Sequence, residues 1–137
     1  MKLPAGAGAL VAVVAAVVVA CSSPTMSVNE LPVTVDLGAG NRVSLVHQGI
    51  TLRFDSVVTD SRCPMGAFCI QAGQAILSFS LTGPNAPASG QLLLASDRPD
   101  VTLGVVLSAE EVTPYLRINQ PPPDHRAYRV KLLISAR

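Results

Sequence analysis

From Pro32 onward apolar side chains recur at every second position in short runs. Gly, Pro, Asn and Asp break those runs about every eight to twelve residues, the spacing of an all-β sandwich or barrel. The strongest run is Ile50 to Val58, where Ile50, Leu52, Phe54 and Val58 are expected on one face and Thr51, Arg53 and Asp55 on the other. Similar alternation covers Ala75 to Leu81, Val101 to Leu107 and Tyr128 to Ile134, and shorter strands are expected at Val33 to Leu37, Arg42 to His47, Gln91 to Ala95 and Tyr115 to Asn119. That makes about eight strands, joined mostly as antiparallel hairpins through turn-forming stretches such as Gly38-Ala39-Gly40-Asn41 and Gly83-Pro84-Asn85. One helical turn is expected at Ser108 to Glu111, where a Ser stands three residues ahead of a Glu as in a capping box. Pro121-Pro122-Pro123 cannot pair in a ladder and reads as a stiff surface loop. Phe54, Leu77, Phe79, Val130 and Leu132 are the large apolar residues expected to share one core. The fold class is therefore all-β, a single antiparallel β-sandwich-like or small-barrel domain over residues 32–137.

The N-terminus has a different pattern. After Met1 and Lys2, residues Ala5 to Ala20 are only Ala, Gly, Leu and Val, and the run ends at Val18-Val19-Ala20-Cys21. A short positive start followed by an apolar stretch is the layout of a signal peptide. The stretch falls short of the roughly 20 residues that span a bilayer as a helix, which argues against a permanent transmembrane anchor. The last four residues resemble the bacterial lipobox, in which a small residue precedes a cysteine that receives a diacylglyceryl group before cleavage. The resemblance implies that residues 1–20 are removed, that Cys21 is the lipidated first residue, and that residues 21–31 are a flexible spacer to the domain. An ordinary signal peptide with an incidental cysteine is the alternative. The expected address is the bacterial cell envelope, on the outer face of the cytoplasmic membrane or on an outer membrane where one exists. The first partner is then the lipid bilayer itself, through Cys21.

Charge narrows the other partners. Setting Lys2 aside leaves nine basic and nine acidic residues, a balance with no electrostatic footprint for nucleic acid and no polybasic attraction to lipid. Export also decides the chemistry of Cys63 and Cys69. In an oxidising compartment two close cysteines flanking a Pro-Met-Gly turn are most simply a disulfide, and closing so short a loop contributes roughly 2 kcal/mol. A metal would need more ligands, and Met65, His47 and His125 form no metal-ligand spacing. A redox pair would favour two intervening residues over the five present.

The stretch from Phe54 to Ala75, with FDSVVTDSRCP and CIQAGQA in register, resembles a family of small bacterial lipoproteins and secreted domains that carry a DSRCP motif, a second cysteine and a following A-G turn. The resemblance implies a β-sandwich-like domain with a Cys63 to Cys69 bridge, and it brings no assigned activity. Gln71 stands where many members have Trp, a departure that weakens any aromatic surface role for this loop.

Within the loop, Asp60, Arg62 and Met65 are the candidate recognition residues. The competing account gives Asp60 a turn-capping role and lets Arg62 pair with it or with Asp55, bracing an exposed loop at little energetic worth. Catalytic signatures such as G-x-S-x-G, a P-loop or H-E-x-x-H do not occur in the chain. Adjacent Glu110 and Glu111 read as complementing a helical turn more readily than as an acid and base pair. Tyr115 and Tyr128, with no Trp, supply little for a stacking platform. No catalytic, cofactor-binding or metal-binding residues are assigned, and no cofactor is expected. The expected function is a membrane-tethered binding or structural accessory module, adaptor- or inhibitor-like, acting on another envelope protein. An envelope hydrolase with an unrecognised active site is the alternative.

Overall fold

Period-2 alternation becomes two hydrogen-bonded sheets. The computed structural model describes residues 23–137, so the leader 1–20 and Cys21 lie outside the described residues. Nine strands follow in chain order among the described residues: β1 (Thr25–Val28), β2 (Val33–Gly38), β3 (Arg42–Leu45), β4 (Ile50–Asp60), β5 (Ala75–Thr82), β6 (Gln91–Ala95), β7 (Asp100–Thr102), β8 (Val105–Thr113) and β9 (Arg129–Ala136). They form a five-stranded sheet in the order β1-β3-β4-β5-β6 and a four-stranded sheet in the order β2-β9-β8-β7. Every pairing is antiparallel except β1 with β3, which is parallel.

The inward faces of both sheets meet in one apolar cluster that includes Phe54, Leu77, Phe79, Val130 and Leu132, each fully buried. Phe54 and Phe79 are cross-strand partners, and their rings pack at 5.5 Å between centroids in a tilted arrangement. The all-β expectation holds, as two packed sheets.

Four local expectations are corrected. In β4 the side that faces the core changes, because the pairing with β5 slips between Phe54 and Ser56 and again between Val57 and Thr59. Each bulge inserts an extra residue and reverses the alternation, so Val57 is buried and Val58 is exposed. Val57 stays opposite Leu77, and its backbone polar groups are satisfied from outside the sheet: its N–H donates to the His125 carbonyl at 2.9 Å and its carbonyl accepts from His125 Nδ1 at 2.6 Å. The expected strand Val101 to Leu107 is a hairpin, folded at Leu103 and Gly104, which both have positive φ. The helical turn at Ser108 to Glu111 is absent; these residues pair with β9 through a bulge between Ala109 and Glu111, and the ladder's hydrogen bonds override a one-turn capping signal. Finally, Tyr115 to Asn119 is no strand, since its pairing reduces to one bridge between Arg117 and Met65.

The segment expected as spacer also has structure. Thr25 to Val28 pair with Arg42 to Leu45. Sheet pairing therefore begins four residues after Cys21.

Candidate functional site

β4 ends at Asp60 and β5 begins at Ala75, so the cysteine loop spans residues 61–74 at one end of the sandwich. Its base is closed by backbone. Ser61 N–H donates to the Gln74 carbonyl at 2.9 Å, Ser61 Oγ donates to the same carbonyl at 3.0 Å, and Gln74 N–H donates to Ser61 Oγ at 3.1 Å. Gly73 is required there because a Cβ would lie 1.7 Å from the Ser61 carbonyl oxygen. Farther out, Cys63 and Cys69 are bridged, with Cα atoms 5.9 Å apart. Between them Ala67 N–H donates to the Pro64 carbonyl at 3.1 Å, and Gly66 takes φ +88° at the position where such a turn needs it. The loop is also tied to the segment joining β8 and β9: Met65 N–H donates to Leu116 O at 2.8 Å, and Ile118 N–H donates to Met65 O at 3.1 Å.

Beneath the loop lies a polar knot. Asp60 Oδ1 accepts from Arg62 Nε at 2.9 Å and Oδ2 accepts from Arg62 Nη2 at 2.7 Å, a two-pronged pair. Asp60 also accepts from the Arg62 backbone N–H at 3.1 Å and from the Tyr128 hydroxyl at 3.1 Å. The remaining Arg62 donors go to backbone carbonyls of the other sheet's strand end: Nη1 to Val112 O at 2.5 Å and Nη2 to Pro114 O at 3.0 Å. The guanidinium carbon lies 4.9 Å from the centre of the Tyr115 ring.

The Asp60 and Arg62 side chains are only 5% and 13% exposed, so the pair is buried and Arg62 is no brace on an open surface. Every polar end is turned inward, where it pins β4 to β8 and to the start of β9. Burial disfavours ionised Asp60, but the hydrogen bonds and charge of Arg62 outweigh it and hold the carboxyl below its usual range. Arg62 is held above its usual value by its hydrogen bonds to Asp60. Tyr128 is pushed up to about 12, first by burial and then by the Asp60 charge.

The outer surface of the loop carries the side chains that sequence reasoning missed. Phe68 is 100% exposed and Ile70 99% exposed, one on each side of Cys69. Met65, retained from the sequence candidates, is half exposed, and Tyr115 and Ile118 of the adjoining segment are similarly open. Scattered exposed apolar residues are ordinary. Two large ones standing fully in solvent, on a loop fixed by a disulfide, a backbone neck and a buried ion pair, form a presented surface. A signal was available: Phe68 and Ile70 flank a cysteine in a run too short to be a strand.

Polar clusters elsewhere are self-satisfied. In a shallow cleft of about 380 Å³ lined by Arg53, Asp55 and His125 among others, Asp55 is taken by Arg53 at 2.7 Å and by the Ser80 hydroxyl at 2.6 Å. His125 Nδ1 is spent on Val57, so no base stands between Ser80 and its carboxylate. Glu111 pairs with Lys131 at 3.0 Å and Glu110 Oε2 accepts from Thr34 at 3.5 Å, so the two acids serve different neighbours. No group of three or more metal-ligating side chains occurs among the described residues.

No protein-family model, curated protein or solved structure matches the chain. The geometry of the loop is therefore what bears on function.

Proposed function

We propose that this chain is a cell-envelope lipoprotein, tethered through Cys21, that works by contact as an accessory module and not by catalysis. The carrying observation is the cysteine loop, which holds Phe68 and Ile70 fully in solvent on a backbone with three independent restraints. Rigid presentation lowers the ordering cost of binding, and large apolar side chains that enter a dry pocket or layer dominate contact energies. Asp55 is paired with Arg53 and Ser80, Asp60 with Arg62, and Glu111 with Lys131, which favours contact over the hydrolase reading.

A photoreactive residue at position 68, introduced in cells making the full chain, tests this. The reading expects a defined adduct from position 68 and none from Val46, an exposed residue beyond the far end of β3. Equal labelling from both positions contradicts it.

A further inference from the structure

The partner class of that surface follows from the direction of the first strand. β1 runs parallel to β3, with Thr25 opposite Arg42, and Arg42 lies opposite Arg53 of β4. Traced backward from Thr25, the chain therefore heads along β4 toward Asp60, which is the cysteine-loop end. Pro24 continues this line, since its carbonyl accepts from Arg42 N–H at 3.4 Å, and Ser23 Oγ lies 4.0 Å from where a Cβ on Gly40 would sit. Cys21 precedes Thr25 by only four residues, so the tether reaches at most about 14 Å beyond the strand. From the level of Arg53 to Asp60 is roughly 23 Å of β4, and the loop projects beyond that. The attachment point thus falls short of the loop tip, so a domain standing on this end would carry the loop tip into whatever surface holds the lipid.

We propose that the cysteine-loop end faces the bilayer, with Phe68 and Ile70 seated in its headgroup–acyl boundary; this rests on the tether reading above. Three features favour lipid over a protein pocket. The two apolar side chains sit at the tip of the end from which the anchor leaves. Half-exposed Met65, Tyr115 and Ile118 lie on this loop and on the segment bridged to it, and the exposed Arg117 beside them has a long stem that lets its charge reach the headgroups. The Asp60–Arg62 pair beneath the loop is turned inward, so that pair adds no dehydration cost on insertion. With equal numbers of acidic and basic residues after the leader, seating depends on apolar contact and not on lipid charge.

The chain contains no Trp, so a single one reports its own surroundings. Lipidated full-length protein carrying Phe68→Trp, and a second version carrying Val46→Trp, are reconstituted into phosphatidylethanolamine/phosphatidylglycerol vesicles containing brominated phosphatidylcholine. Position 46 lies about 33 Å from the loop end along β4. Indole emission from position 68 is expected to shift blue and to lose at least half its intensity to the brominated lipid, with little change when phosphatidylglycerol is omitted, while the position-46 reporter is unaffected. Intact mass separates the two readings. An unacylated Cys21 overturns both, whereas an acylated protein with an unquenched, solvent-like indole at position 68 overturns the bilayer proposal alone. A position-68 adduct made only to protein in cells has that second effect as well.

Discussion

Replacing Arg62 with Ala removes the guanidinium from the knot under the cysteine loop. Four side-chain hydrogen bonds are lost: two to Asp60 at 2.9 and 2.7 Å, one to Val112 O at 2.5 Å and one to Pro114 O at 3.0 Å. The Asp60 carboxylate, 5% exposed, is left with the Tyr128 hydroxyl and one backbone N–H. Removing one partner of a buried ion pair costs about 3 to 5 kcal/mol, because the other charge stays dehydrated without compensation. Water can enter the space Arg62 vacates at the loop edge, which puts the expected loss near about 3 kcal/mol. For a domain this size that corresponds to a fall of about 12 °C in Tm, and in urea to a midpoint lower by about 1.5 M at an ordinary m value. Urea unfolding followed by far-ultraviolet circular dichroism measures it. The Arg129–Asp36 pair, with side chains 55% and 58% exposed, is the internal reference, and Arg129→Ala should cost under about 1 kcal/mol. Asp60→Ala combined with Arg62→Ala should cost clearly less than the two single losses together, since the double variant strands no charge. A loss for Arg62→Ala as small as that for Arg129→Ala would mean that no buried charge is stranded and that the knot does not pin the loop.

Other expectations follow from the same structure. Phe54→Ala should cost about 3 to 5 kcal/mol by opening a cavity against Phe79, and calorimetric melting like the unmodified domain would mean the β4–β5 register is wrong. Asp60 has a depressed folded-state pKa, so its contribution is complete above about pH 4 and is lost as pH falls through that lower value. The stability difference between unmodified protein and Asp60→Asn should therefore be constant from pH 7 to about 4 and shrink below it. Tyr128 has the opposite sign: raised to about 12, it stabilises fully below pH 10 and loses that contribution between about 10 and 12, an alkaline loss that Tyr128→Phe should abolish. Gly73→Ala has no room for its Cβ and should open the loop neck, seen as fast hydrogen exchange at Ser61 and Gln74 while the core amides stay protected.

The strands that pack both sheets were legible because alternation is a direct consequence of burying one face. Ala75 to Leu81 and Tyr128 to Ile134 alternate as expected and deliver their apolar set to the core. The bulges in β4 were not legible, since they arise from how two strands align and not from either strand's residues, and they decide that Val57 and not Val58 turns inward. The capping box at Ser108 failed for a related reason: a local signal contributes about 1 kcal/mol, less than the ladder to β9 that these residues complete. β1 was hidden because its exposed, partly polar residues show no buried face, and its parallel partner fixes it instead.

The cysteine loop was half legible. Spacing and compartment pointed to the disulfide that joins Cys63 and Cys69, but the charged Asp60 and Arg62 read as surface, and the groups that hold this pair inward come from Val112, Pro114 and Tyr128 far along the chain. The apolar pair that does reach solvent was passed over because large hydrophobic residues ordinarily mark a core.

Whether this loop is a working contact is decided by hydroxyl-radical footprinting of Phe68 in intact envelopes, set against the same residue in Cys21→Ser protein released in soluble form. Phe68 labelling is expected to fall severalfold in the envelope while His47, at the far end of the sandwich, labels equally in both. Equal labelling of Phe68 in the two preparations would mean that the loop touches nothing where the protein works.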